Sequence, residues 1–167
     1  MPAGATYEPI ATSTLGTAGF FTFSSIPSTY TDLKLILVGG GDGGTVAVRL
    51  QFNSDTGFNY SNTVLTGDGA SATSTRQTGT QNISTGNFDM PNAASAIGVF
   101  IIDIFSYAGS TNKTVLETNA GDRNGSGNVS RNVGLWRSTS AINSIYLSGG
   151  RNFAVGTMAT LYGIKAA

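Results

Sequence analysis

The side chains of this 167-residue chain that could do chemistry are few: nine Asp and Glu, nine Lys and Arg, and neither histidine nor cysteine. Without those last two there is no imidazole base, no Ser-His-Asp or Cys-His nucleophile system, no thiolate or imidazole metal site and no disulfide. Carboxylates remain: Asp32, Asp42, Asp55, Asp68, Asp89, Asp103, Glu117 and Asp122. A glycosidase needs two of them across one sugar-binding cleft, and their spacing along the chain brings no pair together. Asn53-Ser54-Asp55-Thr56-Gly57, followed by Asn59, spaces oxygen atoms like the first half of a calcium loop. The bidentate glutamate that completes such a loop is missing, and a turn in which Asn and Asp bond their own backbone explains the same residues. Gly39-Gly40-Gly41-Asp42-Gly43-Gly44 satisfies G-x-G-x-x-G. A dinucleotide cradle must open a helix, whereas the next segment alternates like a strand, so the glycines read as a flexible hairpin loop. The expectation is a protein without catalysis, cofactor or metal.

The bulk properties narrow the partners. Charged residues make up 11% of the chain and the net charge is zero, which leaves no electrostatic footprint for nucleic acid or an anionic membrane. The longest apolar run, Val99 to Ile102, is too short to cross a bilayer. The opening Met1 to Ile10 has neither the basic nor the apolar region of a secretory signal, so a soluble product made in a cytoplasm is expected.

Stepping along the chain, period-two alternation dominates. Val46, Val48, Leu50 and Phe52 share one face of Thr45 to Asn53, and Leu33, Leu35 and Leu37 share one face of Asp32 to Val38, the pattern of strands with a buried side. Further strands are expected over 20–24, 60–65, 97–106, 113–118, 129–136, 141–147 and 157–164, each bounded by turn-forming residues. Gly, Thr, Ser and Asn supply nearly half the chain, types that favour turns and strand surfaces over helix interiors. The length suits one core. Together these predict an all-β, antiparallel β-sandwich, with the jelly roll as the expected form. Residues 1–12, with Pro2 and Pro9 around Tyr7, read as an extended N-terminal arm ahead of a single domain over 13–167, and residues 67–87 read as a long polar loop.

One strand is apolar on both faces. In Val99 to Phe105, Phe100, Ile102 and Ile104 point one way and Val99, Ile101, Asp103 and Phe105 the other, although the sheet of a monomeric sandwich usually keeps one wet face. Either a loop covers the second face and Asp103 bonds an Arg or a hydroxyl, or that face is a subunit interface with Asp103 at its rim. Ile36 and Val38, on the outer face of their own strand, favour the interface.

Three phrases carry a resemblance: Ile10 to Gly16 followed by Phe21 to Leu35; Phe52 to Ser61; and Ala159 to Ile164. They resemble small virion structural proteins of tailed bacteriophages, over about residues 10–66 and 130–165 of this chain. The resemblance implies a virion component with a β-sandwich or jelly-roll fold and brings no functional residues with it. Among virion positions, a compact domain with an arm and no shaft fits a capsid decoration, or cement, protein on the exterior of the phage head. Its expected partners are the major capsid protein, held by Tyr7, Pro9 and Ile10 of the arm, and further copies of itself as a homotrimer through Ile36, Val38, Val99, Ile101 and Phe105. Neither nucleic acid nor membrane is expected as a partner. The alternatives are a tail-fibre or receptor-binding module that grips host surface glycans, and a polysaccharide depolymerase.

Overall fold

The computed structural model describes residues 6–123 and 125–165, with side chains at all of these except 86–88. Every regular element among them is a strand: β1 (Tyr7–Thr14), β2 (Phe21–Phe23), β3 (Asp32–Gly39), β4 (Val46–Phe52), β5 (Tyr60–Gly67), β6 (Ala72–Thr80), β7 (Ile83–Met90), β8 (Gly98–Phe105), β9 (Lys113–Gly121), β10 (Asn128–Trp136), β11 (Ile145–Ser148) and β12 (Met158–Ile164). They form an eight-stranded sheet in the order β1-β12-β3-β8-β9-β10-β5-β6 and a four-stranded sheet in the order β2-β11-β4-β7. All strand pairs are antiparallel. The two sheets pack as a β-sandwich around one core. Twelve strands divided eight and four exceed the eight of a simple jelly roll, so the pairing defines a two-sheet antiparallel sandwich and no finer class.

The strongest alternating segments build the core as their spacing requires. Leu33, Leu35 and Leu37 of β3, Phe100, Ile102 and Ile104 of β8, and Ala159 and Leu161 of β12 are buried from the large sheet. Val46, Val48, Leu50 and Phe52 of β4, with Phe21, Phe23, Ile145 and Leu147, meet them from the small one. At one end Phe52 lies 5.5 Å from Trp136 between ring centroids, and Trp136 stacks on Tyr60 at 6.3 Å.

Three expectations change. The glycine run is not a hairpin loop, because β3 and β4 lie in different sheets; it carries the chain from one sheet to the other. Nor is it loose. Gly41 N–H donates to Pro91 O, Ala93 N–H to Gly41 O and Ala154 N–H to Gly40 O, at 2.8, 3.1 and 2.9 Å. A Cβ on Gly40 would sit 2.5 Å from the Ala93 backbone, so glycine is needed there for close approach of two chain segments. The strand β4 follows it, where a phosphate cradle would need a helix.

The long polar loop over 67–87 is instead a hairpin strand and the start of another. β5 and β6 pair from Tyr60↔Thr80 to Gly67↔Ala72. Between them Asp68 Oδ1 accepts the N–H groups of Ala70 and Ser71 at 2.9 and 2.7 Å, while Gly69 takes φ +87°. β6 is exposed along nearly its whole length, so it shows no apolar alternation; threonine-rich backbone pairing makes the strand. Finally, the described part of the expected arm is an edge strand: Tyr7 to Thr14 pairs with β12, with a bulge between Pro9 and Ala11. Proline is tolerated at such an edge, and together with the bulge it hides the strand pattern. Residues 1–5 lie outside the described residues.

Candidate assembly surface

The registers place the outward-facing residues of the large sheet in rows that run across the strands. The row at one end reads Met158, Val38, Val99, Ala120, Val129, Gly67 and Ala72, one residue from each of β12, β3, β8, β9, β10, β5 and β6. It contains no polar side chain. The next row is Thr160, Ile36, Ile101, Thr118, Arg131, Leu65 and Ser74, and the one beyond is Tyr162, Lys34, Asp103, Leu116, Val133, Thr63 and Arg76. Polarity therefore rises from one end of the face to the other.

The five residues expected at a subunit interface are brought onto this one face. Ile36 lies opposite Ile101 and Val38 opposite Val99, while Phe105 ends β8 beside Thr114. Val99, Ile101 and Phe105 are exposed, and Ile36 and Val38 are half-buried. Among the described residues Asp103 meets neither an arginine nor a hydroxyl: it forms an ion pair with Lys34, its neighbour across the β3–β8 ladder. The pair leaves that corner of the face neutral. Arg131 bonds Thr118 Oγ1 at 2.7 Å and Arg76 bonds Thr63 Oγ1 at 3.1 Å, so both guanidinium groups lie along the face, and neither meets a carboxylate among the described residues.

Sequence reasoning did not name Leu65, Val129 and Val133, which are 56%, 56% and 48% exposed. They matter because of what lies behind them. On the inner face of β9, β10 and β5 sit Glu117, Asn119, Ser130, Asn132, Asn62 and Thr66, all buried. Around Glu117, Asn119, Ser130 and Asn132 the usual amphipathic arrangement is inverted, with polar side chains inside and Leu65, Val129 and Val133 outside, while Tyr60, Val64, Val115 and Trp136 keep the rest of this inner face apolar. Alternation in Val129 to Trp136 gives a strand but does not say which face points inward.

The inner cluster is an ordered polar network. Ser130 Oγ donates to Asn119 Oδ1 at 2.6 Å, Asn119 Nδ2 donates to Glu117 Oε1 at 2.7 Å, and Asn132 Nδ2 donates to Ser84 O of β7 at 3.1 Å. Burial pushes the Glu117 carboxyl up to about 7, against the opposing hydrogen bonds from Asn119 and Asn132. Both polar atoms of Asn62, and Asn132 Oδ1, find no hydrogen-bond partner among the described residues. Glu117 is the one acid in this network and it is sealed from solvent, so the two-carboxylate arrangement of a glycosidase is not built here.

Three other acids, Asp55, Asp32 and Asp122, hold backbone N–H groups of turns. Asp55 accepts Trp136 Nε1–H at 2.7 Å, Gly57 N–H at 2.8 Å and Asn59 Nδ2–H at 3.0 Å, and these bonds, the indole first, hold its carboxyl below the ordinary value. The half calcium loop is thus a turn that locks the aromatic cluster. Asp32 accepts Ser106 N–H at 2.6 Å, and Asp122 accepts Gly125 N–H at 2.7 Å. Among the described residues no three Asp or Glu side chains gather as a metal site would need.

The expected capsid-binding residues lie on β1. Tyr7 and Pro9 are exposed, whereas Ile10 is half-buried and packs against the core. Glu8, which the list of candidate acids left out, ties β1 down: its carboxylate accepts bonds from Lys165 Nζ at 2.6 Å and Tyr30 Oη at 3.2 Å. Set against known proteins, the chain matches no family model, no curated protein and no solved structure.

Proposed function

We propose that this chain is a structural component of a tailed-phage virion, a capsid decoration protein that binds the outer surface of the head and stabilises it as a homo-oligomer. The observation that carries the assembly role is the inverted half-sheet: apolar residues stand outside on β9, β10 and β5 while a polar network is held inside. Solvent on that outer face leaves the arrangement with its hydrophobic surface on the wrong side, and a covering partner turns the face into a second core. The phage reading rests on the resemblance. The first and last of its three phrases, far apart in sequence, fall on β1, β2, β3 and β12; β1, β12 and β3 are neighbours in the large sheet, and β2 lies in the small one.

The capsid contact falls to the exposed side chains of β1, Tyr7 and Pro9, at the edge remote from β6. Cryo-electron microscopy of particles carrying the protein is the test. The expected result is density for the sandwich repeated over the head lattice, and particles lacking the protein that lose their DNA at lower temperature, because the clamp stabilises only the assembled lattice. Density confined to the tail, with undecorated particles that keep their thermal stability but fail to adsorb to cells, overturns it in favour of a receptor-binding module.

A further inference from the structure

We propose that the outer face of the large sheet is covered by the same face of a second copy, packed about a two-fold axis that runs along β9 over Ala120. The inference rests on the assembly reading above and replaces the three-fold association expected from the sequence with a face-to-face pair.

The register carries the argument. An axis parallel to the strands brings β8 over the partner's β10, β3 over its β5 and β12 over its β6. In the apolar row Met158 then meets the partner subunit's Ala72, Val38 meets the partner's Gly67, and Ala120 meets its own copy. The outer pairs thus set a larger residue against a smaller one, and Val99 meets the partner's Val129, an arrangement in which two sheet faces can interdigitate. In the second row Ile36 meets the partner's Leu65. The partner's Arg131 falls over Ile101 and so beside Asp103, two residues along β8, adding a carboxylate to a guanidinium that meets none among the described residues of its own chain. Arg76 falls over the partner's Tyr162 ring, a cation–π arrangement. An axis across the strands would instead set β10 on β10 and β6 on β6, with Arg131 and Arg76 near their own copies, which like-charge repulsion disfavours.

The area suffices. The five central strands, spaced about 4.8 Å and eight residues long at about 3.4 Å per residue, present about 650 Å² per copy. Two copies then bury about 1,300 Å², within the range of about 1,200–2,000 Å² for specific interfaces.

The absence of cysteine from the chain makes the test clean, because an introduced thiol is the only one present. Ala120, Met158 and Ala72 are exposed on the sheet, so a cysteine at each is compatible with the fold, which circular dichroism checks. With a thiol cross-linker that spans the about 10 Å between packed sheets, Ala120→Cys is expected to give a covalent dimer. Met158→Cys mixed with Ala72→Cys is expected to give a mixed dimer, while Ala72→Cys alone gives none. An oligomer in which Ala120→Cys fails to cross-link, a product of three chains, or a monomer at micromolar concentration overturns the proposal. The experiment uses purified protein, so a two-fold pair located anywhere but the head leaves this inference standing and removes the decoration reading.

Discussion

The two halves of the large sheet solve the burial problem in opposite ways. In β12, β3 and β8 the inner face carries Leu33, Leu35, Leu37, Phe100, Ile102, Ile104 and Leu161, all buried, and the apolar residues outside them are an addition to a complete core. In β9, β10 and β5 the inner face carries Glu117, Asn62, Thr66, Asn119, Ser130 and Asn132, and much of the apolar material of those strands lies outside. The first half buries its apolar side chains within the chain. The second buries Tyr60, Val64, Val115 and Trp136 there too, but its Glu117–Asn132 region is held by backbone ladders and a polar network. Period-two alternation tells a strand from a helix, but which face is the inside depends on what the strand packs against, including other chains.

Changes that break this contrast differ in size. The largest effect is expected in the apolar half: Leu35→Ala should lower unfolding free energy by about 2–5 kcal/mol, as for other buried leucines, read by denaturant titration. A loss under about 1 kcal/mol would show that the β3 interior is loosely packed.

Next comes the polar half, through Glu117. Its folded-state pKa of about 7 lies above the ordinary 4.5, so between these values the folded protein holds a proton that the unfolded chain has released. Stability should therefore fall as pH rises through that window, by about 3 kcal/mol in total, and stay low above it. Glu117→Gln should flatten the profile and be the more stable protein at pH 8. Parallel pH profiles for the two proteins would mean that the carboxylate is solvated and the network open.

A smaller gain is expected from Asn62→Leu. Burying an amide with neither polar atom partnered is unfavourable, and an apolar side chain of similar size removes that penalty, for about 1–2 kcal/mol of added stability. A destabilised variant would point to a partner for Asn62 that the described residues do not include. The smallest effect on folding belongs to the outer face: Val129→Ser should change monomer stability by no more than about 0.5 kcal/mol while weakening association. A large loss of monomer stability would place Val129 in the chain's own core.

These contrasts also mark what could be read from the residues. The alternation of Val46 to Phe52 and of Leu33 to Leu37 locates two core strands and their inward faces, because one side of each is apolar and the other is not. The same logic groups Val99, Ile101 and Phe105 with Ile36 and Val38 on a second apolar face. It misses β6, whose residues bury neither side, and β1, where Pro9 and a bulge interrupt the period. It takes the Gly39 to Gly44 segment for a loose loop because glycine signals turns and close approach alike, and only the packed neighbours Ala93 and Gly44 distinguish them. Val129 and Val133 escape because their strand alternates with the reverse polarity, and the inner network of Glu117, Asn119 and Asn132 comes from residues that in isolation read as strand surface.

The claim at the centre of this account is that the outer face of β9, β10 and β5 is an interior surface of an assembly. Light scattering on the purified wild-type chain at micromolar concentration, beside Val129→Asp, tests it most directly. The account predicts a wild-type mass of twice the 17.1 kDa chain and a folded Val129→Asp protein at the single-chain mass. A wild-type protein that stays at 17.1 kDa, or a Val129→Asp protein that associates as well as the wild type, would contradict it.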